Sequence, residues 1–226
     1  GLPVQGSNAD ERIMQIMPYG VGNTHPRFHA WVHGAGAPCG LLADIASASM
    51  NVNAGGRNTI SPVIEQQVIA WCLEIMGMPS TGSGLVVSGT SMATVIAIKV
   101  ARDRAIENAR LTGLKQGQYT AYCSNQGHSC IGDAMDMLGF GSEACRKIIA
   151  DDNFEMDLNE LKSQIAADRA AGLTPLVIVG TAGTVNVGAI DDLETIADIA
   201  ASEGIWFHVD GAFGAAGCLG QTCKAA

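Results

Sequence analysis

Short β-branched runs alternate with longer stretches of helical spacing from residue 85 to residue 209, and this alternation restricts the fold more than any other feature. Pro175–Gly180 ("PLVIVG") is the clearest run, apolar on both faces as a strand must be when helices cover both sides of its sheet. Leu85–Val87, Tyr119–Cys123, Lys147–Ile149 and Ile205–Val209 are read as further strands. Between them Ser91–Arg110, Ser129–Leu138, Asp157–Ala170 and Asp191–Ala201 are read as helices, with Leu158, Leu161 and Ile165 on one face of the third. Parallel strands need crossover connections, so the order implies an α/β fold with a mainly parallel sheet. Upstream, Leu41–Met50 has the small, apolar composition of a buried helix. Ser61-Pro62 offers an N-cap and a first-turn proline for another, which carries Val63, Val68, Trp71, Leu73, Ile75 and Met76 and stops at Gly77 and Pro79. No repeat, charge block or low-complexity linker divides residues 1–226, which are read as one domain.

In such sheets ligands collect outside the carboxyl ends of the strands. The segments that follow strands are therefore the places to look: Ser88–Ser91, Ser124–His128, Thr181–Thr184 and Asp210–Phe213. Composition narrows the ligand. A formal net charge of -9 argues against a nucleic-acid backbone or an anionic membrane surface as partner. No apolar run is long enough to span a bilayer, and the first residues lack the pattern of a signal sequence. The 7 cysteines are odd in number and form no CxxC pair, which disfavours a disulfide framework or zinc knuckle and fits a reducing cytoplasm. The chain opens at Gly1 and closes on Lys224-Ala225-Ala226 with no terminal element, so a piece of a longer protein is expected.

Gly89-Thr90-Ser91-Met92-Ala93 resembles the serine signature of subtilisin-type proteases. A proteolytic serine needs a base and an orienting acid, and their sequence contexts are missing here; the proline expected after the signature is missing too. The same stretch, a strand followed by Ser-Gly-Thr-Ser and a helix, supplies free N–H groups and two hydroxyls where a helix dipole favours an anion. Thr90 and Ser91 either hold a phosphate or cap the helix. His25, His29 and His33 are four apart, but no carboxylate completes a tetrad nearby, and no metal site is assigned. "GAGAPCG" at Gly34–Gly40 has the wrong glycine spacing for a dinucleotide loop. Asp210 ends an apolar strand and needs a cation or a proton-bearing nitrogen if buried. His128 follows another strand and opens a helix. Together they describe pyridoxal phosphate: a helix N-terminus for its phosphate, a carboxylate for its ring nitrogen and an imidazole to stack on its ring.

The blocks "HPRFHAWVHGAGAPCGLLADIASASMN", "SPVIEQQVIAW", "VSGTSMAT", "SNQGHSC", "GTAGTVNVGAIDDL" and "WFHVDGAFGA" resemble the pyridoxal-phosphate-dependent amino-acid decarboxylases, the group holding the aromatic-amino-acid, histidine and glutamate decarboxylases. They run in family order from His25 to Ala215. The resemblance implies a truncated fold-type I large domain over residues 1–226, with a mainly parallel seven-stranded sheet flanked by helices. It also implies a homodimer and an amino-acid substrate that loses CO2. By motif, Thr90 and Ser91 match the phosphate-holding residues, and His128 the stacked histidine. Asp210 matches the aspartate paired with the ring nitrogen, and Ala212 the small residue on the ring's other face. Thr181 and Thr184 fall in the family's Thr-x-Gly-Thr-Thr block, where Val185 replaces the last threonine. Phe28 matches a segment lining the substrate pocket. The family's cofactor-bearing lysine lies beyond the aspartate block, outside this chain, and Lys224 lacks its context. An N-terminal segment and a C-terminal small domain are expected to be missing as well, so the isolated chain is expected to be inactive. Other fold-type I enzymes, or a non-catalytic binding module, are the alternative readings.

Overall fold

The computed structural model describes residues 8–20, 22–23, 25–28, 36–53, 55, 58–115 and 117–220. The chain divides into two compact units, Gly1–Thr59 and Ile60–Ala226. In the first, helix α1 (Ala9–Ile16) is capped by Asn8, whose side chain accepts the Glu11 N–H at 2.8 Å. Helix α2 (Pro38–Met50) begins on a proline that needs no N–H partner and ends at Asn51 in the left-handed region, φ 43°. The expected burial of this helix is not found: Leu41, Leu42 and Ile45 are exposed.

The second unit contains helices α3 (Ile60–Ile75), α4 (Thr90–Ala105), α5 (Ala109–Thr112), α6 (Cys130–Met137), α7 (Leu158–Ala170) and α8 (Leu193–Glu203). Its strands are β1 (Tyr119–Ser124), β2 (Cys145–Ile148), β3 (Thr174–Thr181) and β4 (Trp206–Asp210). They form one parallel sheet in the order β2-β1-β3-β4. Among the described residues the sheet thus has 4 strands, where the resemblance implies seven.

Burial on both faces explains why β3 reads as uninterrupted apolar sequence. One face packs Ala121, Cys123, Val177 and Val179 against Ile98 and Ala101 of α4 and Ile131, Ala134 and Met135 of α6. The other packs Tyr122, Ile148 and Ile178 against Leu161 and Ile165 of α7 and Ile196, Ile199 and Ala200 of α8. Gly180 sits where a Cβ would lie 2.8 Å from Leu193 Cδ2, so a larger residue there would displace the Leu193 side chain.

Several boundaries differ from expectation, each for a local reason. α3 starts at Ile60, so Ser61 lies inside the first turn and does not cap it. Leu85–Val87 has no ladder partner among the described residues; the Val86 N–H instead donates to Glu65 Oε1 at 2.8 Å. The helix predicted to run to Arg110 breaks after Ala105, because Ile106 turns extended and Asn108 takes a left-handed φ of 60° before α5. β2 ends at Ile148 because the Ile149 N–H leaves the ladder for Glu160 Oε2, 3.0 Å away.

At the amino end of the sheet, one buried polar network crosses three elements. The Tyr122 hydroxyl donates to Asp168 Oδ2 at 2.8 Å, and Thr120 Oγ1 lies 2.8 Å from the same hydroxyl. Arg146 Nε and Gln164 Nε2 also donate to the Asp168 carboxylate. Burial pushes the Tyr122 phenol well above its ordinary pKa, so it remains a donor. Removing that donor leaves a buried carboxylate short of one partner. Tyr122→Phe should therefore destabilise the fold by about 1.5–3 kcal/mol, read as a lower urea midpoint at unchanged slope; an unchanged midpoint would show that the network does not stabilise the sheet.

Candidate functional site

The parallel arrangement brings the start of α4, the segment between β1 and α6, and the ends of β3 and β4 to the carboxyl edge of one sheet. α4 begins at Thr90, with Gly89 as its N-cap and no side chain capping it. The capping role considered for Thr90 and Ser91 is thus not what the structure shows. Both residues are exposed, and their hydroxyls and N–H groups have no hydrogen-bond partner among the described residues. A helix end left open in this way is an anion site in waiting.

α4 is tied to α6 at the same edge, where Thr94 Oγ1 lies 3.8 Å from Cys130 Sγ. The Cys130 N–H donates to His128 Nδ1 at 3.1 Å. That bond fixes the imidazole plane and tautomer, leaving Nε2 as the proton-bearing nitrogen of the neutral ring. His128 is exposed, so a face of its ring is open to a ligand. Burial raises the pKa of the Cys130 thiol against the Thr94 hydrogen bond, and the Asp210 carboxylate adds to the rise.

Asp210 ends β4 and is 6% exposed. Its Oδ1 accepts a long bond, 3.3 Å, from the Ala212 N–H, and it has no ion-pair partner among the described residues. Burying a carboxylate so thinly satisfied costs free energy unless a cationic or proton-bearing group completes it. Thr181 is its register partner on β3, and Thr181 Oγ1 is also buried without a hydrogen bond. Two adjacent buried polar groups, both short of partners, mark a place built for something else.

The loop after Asp210 is seated on the loop after β3. The Gly214 N–H donates to Ala182 O at 2.8 Å, and a Cβ at Gly214 would fall 2.2 Å from that oxygen, so only glycine fits. Ala212 lies exposed on this loop. Thr184 has a different part: it is buried, and its Oγ1 accepts the Ala189 N–H at 3.2 Å, closing its own turn. Phe28 belongs to the first unit, the His25 ring accepts the Arg27 N–H at 3.1 Å, and His29, His33 and Lys224 lie outside the described residues.

Sequence reasoning missed Asp191. It is buried, its Oδ1 accepts the Met156 N–H and its Oδ2 the Thr181 N–H, each at 2.8 Å. It clamps the end of β3, and hence Thr181, to the chain that leads into α7. The adjacent acidic pair in "GAIDDL" was a usable signal, since only Asp192 is needed to cap α8.

The profile of the pyridoxal-dependent decarboxylase conserved domain matches residues 5–223. The chain belongs to the pyridoxal-dependent decarboxylases. Among relatives in this family, it is 32% identical to the aromatic-L-amino-acid decarboxylase of Bacillus atrophaeus, over 97% of this chain and 46% of that protein. It is 29% identical to the 4-hydroxyphenylacetaldehyde synthase of Rhodiola rosea, over 94% of this chain and 44% of that protein. The crystal structure of mouse CSAD superposes with a TM-score of 0.88 at 28% identity, covering 98% of this chain and 48% of that one. The chain thus spans less than half the length of these decarboxylase-family proteins, and its parallel sheet flanked by helices is theirs.

Two outcomes follow from the geometry. In Asp191→Asn an amide nitrogen would face one of two N–H donors, so the variant should lose about 1–3 kcal/mol; a wild-type unfolding midpoint would show that the clamp carries no load. His208 lies two residues before Asp210, and burial lowers its pKa more than the Asp210 carboxylate raises it. A depressed folded pKa means that the native state resists the proton. The contribution of His208 is complete above the unfolded value of about 6.5 and is lost as pH falls through the folded value. His208→Gln should flatten the fall in stability between about pH 7 and pH 5, measured by urea titration at each pH; an unaltered slope would exclude His208 as its source.

Proposed function

We propose that this chain forms the larger part of the cofactor site of a pyridoxal-phosphate-dependent L-amino-acid decarboxylase. The observation that carries the reading is Asp210, a buried carboxylate with no cationic partner among the described residues, at the same sheet edge as the uncapped start of α4. The residues fit the cofactor. Thr90 and Ser91 would hold its phosphate with their hydroxyls and N–H groups, using the helix dipole as well. Asp210 would keep a proton on its ring nitrogen, each pK unit of that bias being about 1.4 kcal/mol. His128, fixed through Nδ1, would lie against the ring plane, and the methyl of Ala212 would leave room on the opposite side. The Thr181 hydroxyl, which has no hydrogen-bond partner among the described residues, would be free to supply one further hydrogen bond at this edge. When bound, the cofactor supplies the electron sink for the pair left on the α-carbon as CO2 departs. His128 and Asp210 are the residues proposed to act in catalysis.

A homodimer in the cytoplasm completes the proposal. Exposed apolar side chains such as Val63, Ile64, Trp71 and Ile75 along α3 support an association surface, and the free thiols of Cys39 and Cys72 support a reducing compartment. A second reading, aldehyde formation, is favoured by the similarity to the Rhodiola synthase. Product analysis separates the two, an amine marking the first and an aldehyde the second.

The test is Asp210→Asn in the complete protein. CO2 release should fall by about 10²–10³-fold, while pyridoxal phosphate remains bound through its phosphate, as read by equilibrium dialysis. Wild-type turnover in the variant would overturn the assignment of the site.

A further inference from the structure

The parallel register of β1 and β2 sets Cys123 opposite Lys147 and Ala121 opposite Cys145, so three side chains meet on the face that packs against α4 and α6. Cys123 Sγ lies 3.5 Å from Cys145 Sγ, and Lys147 Nζ lies 3.2 Å from Cys123 Sγ. None of the three belongs to the site at Thr90, His128 and Asp210. Two thiols in contact beside an ammonium are an unusual thing to place in an apolar layer. An alkyl side chain at either cysteine would fill the same space, and Lys147 has no carboxylate partner among the described residues.

The electrostatics follow from the contacts. The hydrogen bond from Cys145 lowers the Cys123 thiol to about 7 against its burial, and the Lys147 ammonium helps. Cys145, acting as donor to a thiolate and itself buried, is pushed up. Burial opposes the charge on Lys147, and the surrounding sulfur atoms more than offset it. The contacts set Cys123 between the Lys147 ammonium and the Cys145 sulfur, which favours Cys123 as the nucleophile and Cys145 as the proton carrier.

We propose that Cys123 and Cys145 are an oxidation site, converted to a disulfide by hydrogen peroxide and returned to thiols by a dithiol reductant. The Cys123 thiolate attacks one peroxide oxygen; the S–O bond forms, the O–O bond breaks, and hydroxide leaves to be protonated as water. Cys145 Sγ then attacks Cys123 Sγ, forming the S–S bond and breaking the S–O bond, and the released hydroxyl takes the Cys145 proton and leaves as a second water. The two sulfurs lose two electrons and the peroxide oxygens gain two. Closing from 3.5 Å to the ~2.0 Å of a disulfide requires roughly 1.5 Å of movement. β2 can provide it, being a four-residue strand that pairs with β1 alone among the described residues. Cys123 is fully buried and Cys145 8% exposed, so peroxide would have to enter from the side of Lys147, which is exposed. The same movement would reach the His128 segment, because the Asn125 N–H donates to Ile148 O at the end of β2, 2.7 Å away.

The complete protein is treated with hydrogen peroxide, its remaining thiols are blocked under denaturing conditions, and non-reduced peptides are mapped by mass. The expected product is a Cys123–Cys145 cross-linked pair that dithiothreitol reverses. At about pH 6, below the Cys123 value, Lys147→Met should slow its formation by about tenfold, the thiolate fraction lost for one pK unit. Cys145→Ser should leave a Cys123 sulfenic acid that a 1,3-dione probe traps. Circular dichroism confirms that each variant is folded, and the wild-type map decides the matter if either is not. The proposal is overturned if Cys123 and Cys145 are still free thiols once the exposed Cys39 and Cys72 are fully oxidised, or if folded Lys147→Met cross-links at the wild-type rate at that pH.

Discussion

β3 is the strand on which the second unit depends. Seven of its eight residues are buried, helices cover it on both faces, and β1 and β4 hydrogen-bond to its two edges. A strand so enclosed can exchange neither register nor face, because a shift of one residue would swap every side chain between two differently shaped layers. Its neighbours inherit that register. Thr181 is thereby set beside Asp210, and Val179 beside both Cys123 and His208.

Parallel pairing has a second consequence. Every strand points the same way, so every crossover begins at the same edge, and polar residues scattered over more than a hundred positions converge there. The interior of the sheet tolerates few polar atoms, and those it holds are paired, as Asp168 is with Tyr122, Arg146 and Gln164. At the carboxyl edge the rule is relaxed at three places: the α4 N-terminus is uncapped, Asp210 has one long hydrogen bond, and Thr181 Oγ1 has none. Thr181 and Asp210 are register partners, and the proposed cofactor site rests on their unmet demands together with the open start of α4.

The alternation of apolar runs made the parallel core legible from residue 119 onward, because burial on both faces leaves a signal that needs no partner to recognise. Where a partner decides, the signal failed. Leu85–Val87 has strand composition, yet a strand exists only where another backbone completes its ladder, and Glu65 takes the Val86 N–H instead. α2 has the composition of a buried helix and is exposed. Thr90, Ser91, His128, Asp210 and Ala212 could be picked out as candidates because each lies next to an expected strand end or helix start. Asp191 was not, since its importance lies in two backbone N–H groups 10 and 35 positions away, which no local pattern encodes.

The sequence by itself determined the α/β class, the parallel direction of the strands, the family and the chemical types gathered at the ligand edge. These follow from periodicity, from residue chemistry at strand ends and from motif order, all of which are properties of short segments. Only the tertiary structure decided that Thr90 and Ser91 leave their helix uncapped, that Thr181 and Asp210 are buried without adequate partners, and that Cys123, Cys145 and Lys147 touch. Each of these depends on distance between segments remote in the chain, set by the register of packed strands, and register is a property of the pair rather than of either strand alone.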